Sequence, residues 1–227
     1  MKLLLSTHGI VSVKISQEDV VPLAGLLQRD LIQFIGNLYN FDVKPHIPAN
    51  IPQQAMLPIL TFNQGRFESG GQSHPVIQLI AFQNGDAVMA SDTEIAERIL
   101  THYLDALDSG LGFRNKTVSQ TRYYVSNIIV EFDYDIAARL EGINIISELL
   151  NKEISRSDAP FSVKRLALGS GDPVPLVFAA AEATSHADFT LERRAGQPYS
   201  SNRYFSSAPT RTEDHIRILE SIEKLLR

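Results

Sequence analysis

The chain reads as an α+β protein built from two pseudo-repeats of β-α-β-β-β-β-α, with mainly antiparallel sheets and helices on one side. Three observations lead to this reading. Some segments alternate apolar and polar residues with period two, as half-buried strands do, and others repeat apolar residues at three- and four-residue steps, as amphipathic helices do. Gly-, Asn- and Pro-containing turns separate them. The third observation is an offset. Val13, Leu23 and Gly25 stand 117 residues before Val130, Leu140 and Gly142, and Thr93, Glu94, Arg98, Ile99 and Leu100 stand 119 before Thr212, Glu213, Arg217, Ile218 and Leu219. The repeats are placed at residues 1–115 and 116–227, as two units or as one continuous domain.

In order along the chain, residues 9–15 set Val11, Val13 and Ile15 against Ser12 and Lys14, a strand. A helix starts near Ser16 or Asp19, with Pro22 tolerated in its first turn. Its stripe is Leu23, Leu27, Leu31, Phe34 and Leu38. Four prolines between residues 43 and 58 then mark an irregular crossing loop. Strands follow at 57–62, 66–68, 76–82 and 87–90, the last two joined by an Asn84-Gly85 hairpin. Ser91-Asp92-Thr93-Glu94 opens a helix with Ile95, Ile99, Tyr103 and Leu107 inward, ending near Gly110 and Gly112.

The second half begins with a strand whose core face carries Tyr124, Ser126, Ile128, Val130, Phe132 and Tyr134. Asp133 or Asp135 caps a helix that turns Leu140, Ile143, Ile146 or Ser147, Leu150 and Ile154 inward. Strands are expected at 161–168, 174–181, 188–194 and 203–207, then a helix from about Thr212 to the end. A doubled unit of this order is similar in topology to the TATA-binding protein and its fold relatives. The resemblance is one of fold and carries no function; the acidic balance of this chain departs from a DNA-binding saddle.

Composition narrows the function. The 227 residues are 44% hydrophobic and 21% charged, an ordinary globular balance. There is no cysteine, which excludes disulfide frameworks, thiolate metal sites and a cysteine nucleophile. Leu3-Leu4-Leu5 is too short for a secretory core or a membrane span, so a cytoplasmic location without membrane contact is expected. With 21 basic and 26 acidic residues the net charge is −5, which disfavours a general nucleic-acid surface. Acidic residues outnumber basic ones in residues 1–115 but not in 156–227, so an anion site belongs to the C-terminal part.

Several strands are apolar on both faces. Val76, Ile80 and Phe82 oppose Ile77, Leu79 and Ala81; Val174, Leu176 and Phe178 oppose Val177, Ala179 and Ala181; Val125 and Ile129 lie behind the core face of their strand. An antiparallel sheet with one wet face alternates instead. Either the sheets of the two halves pack on each other, or the second face meets another chain, a second copy included.

Motifs for chemistry fail. Gly169-Ser170-Gly171-Asp172-Pro173 follows a strand, but its prolines remove N–H donors and no helix follows, so it reads as a turn rather than a phosphate cradle. The six histidines form no local metal motif; His102 and His215 ride on helices in solvated or capping roles. No cofactor and no metal site is assigned. Glu131, Asp133 and Asp135 fall on one strand face and could hold Mg²⁺ or Ca²⁺, or serve with His186 in hydrolysis; a solvated strand end with a helix cap is the plainer reading.

The most unusual segment runs from 192 to 211. Arg193, Arg194, Tyr199, Asn202, Arg203, Tyr204 and Arg211 cluster around Gly196-Gln197-Pro198 and form the candidate binding site. Arginine forks match carboxylates and phosphates, and tyrosines supply rigid contact area. Alternation puts Arg193 on the face of Phe189 and Leu191, in reach of a buried ion pair; local pairing of the arginines with Glu192 or Glu213 is the structural alternative. The expected function is a non-catalytic binding or assembly protein that meets a protein partner or itself, as a homodimer. Nucleic-acid or anion binding through residues 193–211, and a hydrolase with dispersed acidic and histidine residues, are the alternatives.

Overall fold

A computed structural model of the chain describes residues 1–15, 17–22, 27–45, 59–82, 85–154, 161–169 and 188–227. Eight strands make one antiparallel sheet: β1 (Lys2–Lys14), β2 (Leu60–Ser69), β3 (Gln72–Phe82), β4 (Gly85–Ala90), β5 (Thr121–Glu131), β6 (Arg165–Leu168), β7 (Phe189–Arg193) and β8 (Arg203–Ala208). Their order is β2-β3-β4-β1-β5-β8-β7-β6. The described helices are α1 (Gln17–Val20), α2 (Gln28–Leu38), α3 (Thr93–Leu111), α4 (Glu141–Ile154) and α5 (Thr212–Leu225). None is long and apolar enough to cross a membrane.

The sheets of the two halves do not pack on each other. β1 pairs with β4 on one side and β5 on the other, so the halves join edge to edge. β1 is also longer than its alternation suggests. Register shifts between Leu3 and Leu5 and between Ser6 and His8 break the period of two, which hides the strand from sequence reading. In the first half, the separate strands expected at 57–62 and 66–68 are one strand, β2. Gln64, at φ 60°, re-phases it, so that Leu60 and Phe62 are buried before the break and Gly65 and Phe67 after it.

The helix expected from residue 16 to 38 is interrupted. Val21 and Pro22 lie outside α1, Leu27 is 70% exposed, and α2 buries Leu31, Ile32 and Ile35. Proline supplies no N–H and restricts the residue before it, which ends the first turn. α3 follows its cap signals: the Asp92 side chain accepts from Ile95 N at 2.7 Å, and Gly112 closes the helix at φ 71°.

α3 and α5 lie on the same face of the sheet. Gly9 of β1 and Ser126 of β5 are cross-strand partners; a Cβ on Gly9 would stand 2.1 Å from Thr93 N of α3, while Ser126 bonds to His215 of α5. Gly9 is therefore what lets α3 start against the sheet. The N-termini of the two helices meet there. Thr93 N donates to Thr212 Oγ1 at 3.1 Å and Thr212 N donates to Thr93 Oγ1 at 2.6 Å, so each threonine satisfies an end N–H of the other helix.

Two apolar clusters sit under these helices. The larger joins Val11, Val13, Ile35, Phe62, Leu79 and Ile99 with their neighbours, and α2 and α3 close it. The smaller joins Ile128, Val130, Phe132, Leu191, Tyr204 and Leu219. Of the strands read as two-faced, β3 buries Val76, Leu79, Ile80 and Ala81 and leaves Ile77 37% exposed. Val125 is half-buried and Ile129 buried on β5. The strand expected at 174–181 lies outside the described residues, as do Ser170–Pro173 of the Gly-rich turn and His186.

Candidate functional site

In the Arg/Tyr segment Arg193 faces inward, Arg203 and Arg211 pair with carboxylates, and Arg194 is exposed. Arg193 is 6% exposed. Its Nη2 donates to both Asp135 oxygens at 2.7 and 2.6 Å, Nε to Val163 O at 3.1 Å and Nη1 to Tyr199 O at 3.4 Å. The guanidinium lies 4.3 Å from the Tyr199 ring centroid and 5.5 Å from that of Tyr204. Tyr204 Oη donates to Asp135 Oδ1 at 2.8 Å, and Ala137 N and Ala138 N donate to the same oxygen. Burial pushes the Asp135 carboxyl up, but hydrogen bonds from Arg193 and Tyr204 and the guanidinium charge outweigh it and hold it below the usual range. The buried ion pair read from alternation is present, with a partner 58 residues away rather than beside it.

Arg203 and Arg211 also pair with carboxylates. Arg203 Nε donates to Glu131 Oε2 at 2.8 Å across the β5–β8 rung. Arg211 Nη2 reaches Glu97 at 2.8 Å and lies over Tyr124, whose hydroxyl also donates to Glu97. Glu192 pairs instead with Lys164. Arg194 is exposed, Tyr199 is half exposed over Arg193, and Asn202 closes a short 3₁₀ turn at φ 50°. The segment thus splits into two sites: Arg193, Tyr199 and Tyr204 lock the 135–138 turn to the sheet, and Arg211 belongs with Glu97.

The carboxylate row does not form. β5 ends at Glu131, so Asp133 and Asp135 follow in a turn, not on a strand face. Glu131 pairs with Arg203, Asp135 with Arg193, and Asp133 with the terminal ammonium. His215 is not solvated either. It is fully buried on α5, with Nε2 2.8 Å from Ser206 Oγ and Nδ1 3.0 Å from Ser126 Oγ. Ser206 Oγ donates to Thr190 O, so it accepts from His215 Nε2–H, and Nδ1 accepts from Ser126. Burial pushes the imidazole down to about 4 and keeps it neutral. Both serines are also fully buried, so this Ser–His–Ser group is a core hydrogen-bond network with no access for substrate.

A groove of about 610 Å³ runs over α3, lined by Phe67, Glu97, Arg98, His102, Asp105 and Arg211. Two of its carboxylates are ion-paired, Asp105 with Lys116 and Glu97 with Arg122 and Arg211, and Arg98 donates to the Ser69 hydroxyl.

The largest departure from expectation is α4. The stripe Ile143, Ile146, Leu150 and Ile154, read as inward, is 38–57% exposed. Ile145 and Leu149, on the opposite side of the same helix, are 67% and 59% exposed. A helix apolar on both sides is ordinarily buried. On α5, Ile218 is 42% exposed, although Ile99, 119 residues earlier on α3, is fully buried. The hydrophobic pattern of α4 was legible in the sequence; what the sequence does not carry is which of its neighbours comes close enough to cover it. No protein-family model matches the chain, and no curated protein matches it in sequence.

Proposed function

We propose that this protein is a non-catalytic binding or assembly module that works through protein–protein contact, with itself or with another chain. The observation that carries this reading is α4. Six Ile and Leu side chains left about half exposed forfeit on the order of 6 kcal/mol of burial, large beside a typical folding stability of roughly 5–15 kcal/mol. Apolar surface of this extent on one helix marks a contact surface. The pairing of Arg193, Arg203 and Arg211 with carboxylates weighs against nucleic-acid or anion binding through residues 193–211, since those charges are already matched. Separate partners for Glu131, Asp133 and Asp135 likewise weaken the hydrolase reading.

The same proposal includes an internal duplication, each half following, among the described residues, the order β-α-β-β-β-α. The strand order supports it, because β2-β3-β4-β1 and β6-β7-β8-β5 run inward to the same seam. So do Thr93 and Thr212, which stand 119 residues apart and cap each other over that seam. His8 and Asn127, cross-strand partners in the seam, have the same separation.

The test is light scattering and sedimentation of the purified chain, alone and with candidate partners, against Ile145→Lys and Leu149→Lys. Association that these substitutions abolish supports the reading. A strict monomer that no partner binds, or association indifferent to both substitutions, overturns it.

A further inference from the structure

The interior of the first half contains a carboxyl group that the contact reading does not use. Asp86 lies on β4 opposite Val13 of β1 and Ala81 of β3, on the face covered by α3. It is 7% exposed, and its buried Oδ1 has no hydrogen-bond partner. Aspartate is among the residues least often buried without a counter-charge, and an orphaned buried oxygen is a cost that most folds avoid. The groups around it offer little relief. β1 and β3 present Val13 and Ala81; α3 presents Tyr103, itself 1% exposed. Arg122 of β5 is next in the same cross-strand row beyond Val13, but its Nη1 is held by Glu97 and Thr101. Among the described residues no basic side chain forms an ion pair with Asp86.

Its position in the strand matters as much as its burial. Asp86 is one residue from the start of β4, and the rungs Gly85–Lys14 and Gly85–Phe82 are the last before the β3–β4 connection. An ionised carboxylate there would reach water by opening two rungs, without unfolding the sheet.

We propose that Asp86 makes the start of β4 a pH-sensitive latch, closed while its carboxyl is protonated and weakened at the Asp86–Val13 and Gly85–Lys14 rungs as the group ionises. Burial, against the pull of the Tyr103 hydrogen bond, pushes this carboxyl up to about 7. The closed form therefore holds a proton that the opened form, near the ordinary aspartate value of 3.8, releases. The linkage fixes the sign. The latch is strongest below about pH 4, weakens by up to about tenfold per pH unit on the way to pH 7, and is constant above.

The experiment is amide hydrogen exchange at residues 13–14 and 85–88, expressed as protection corrected for intrinsic exchange, between pH 5 and 8. Wild-type protection is expected to fall by up to about a hundredfold from pH 5 to 7 and then level off. Asp86→Asn, which cannot ionise, is expected to remove that slope. A flat wild-type profile, or the same slope in Asp86→Asn, overturns the latch. A ¹³C titration of the Asp86 carboxyl in the wild-type chain needs no variant to fold: a midpoint near 7 supports the proposal, and a midpoint near 4 sinks it.

Discussion

α2 and α4 hold the same place in chain order, each the main helix after the first strand of its half, yet they end differently. α2 buries Leu31, Ile32 and Ile35 against α3, and Tyr39 just beyond it donates to Ile99 O at 3.2 Å. α4 leaves its Ile and Leu side chains half in solvent, and Ile218 of α5 with them. The apolar patterning of the two helices is comparable. What differs is whether a neighbouring helix arrives to cover it. The first half thus completes its own core among the described residues, and the second adds to its smaller apolar cluster two polar ties: Arg193–Asp135–Tyr204 at one end and His215–Ser126–Ser206 at the other.

The interiors differ in charge chemistry as well. The first half buries an acid, Asp86, and the second a base, His215, and burial shifts each toward its neutral form. Their linkages run in opposite directions over nearly the same interval. Asp86 contributes stability below about pH 4 that disappears by pH 7. His215 contributes stability above pH 6.5 that is lost as pH falls toward 4. Over pH 4 to 7 these two linkages oppose each other.

Four experiments would break or sharpen this contrast. The largest effect is expected of Arg193→Ala. It strands Asp135 and removes the stacking on Tyr199 and Tyr204, at a cost of about 4 kcal/mol, and urea unfolding followed by a probe in the second half would report it. Next is His215→Gln, which keeps hydrogen-bonding groups but cannot be protonated. It leaves the Asp86 linkage unopposed, so stability should fall by up to about 4 kcal/mol from pH 4 to 7. A variant whose stability stays flat over that interval would show that the two groups do not offset each other. A double-mutant cycle of Thr93→Ala and Thr212→Ala comes third. Each loses about 1 kcal/mol, and because each hydroxyl caps the other helix the pair should couple rather than add. The smallest effect on folding, within about 0.5 kcal/mol, belongs to Ile145→Lys, whose side chain is already mostly exposed; thermal melts of the monomer would test this.

Much of this fold is written in short-range pattern. Period two over Val11, Val13 and Ile15, the Ser91–Glu94 helix start, the stripe of α3 and the strand at 203–207 each depend on neighbours a few residues away, and each forms as read. Alternation alone also turned Arg193 inward. The failures have physical causes of the same scale: bulges that hide the start of β1, a left-handed Gln64 that fuses two strands into one, and a proline that interrupts the first helix.

Partnership across the sheet is another matter. The sequence by itself determined which segments become strands and helices and which faces of most of them are apolar, because backbone geometry sets those periods locally. Only the tertiary structure decided that the halves share a sheet, that Arg193 answers to Asp135, that His215 is sealed between two serines, and that the Ile and Leu side chains of α4 are half exposed among the described residues. These are contacts between residues tens of positions apart, and no local periodicity encodes which of several compatible surfaces will meet.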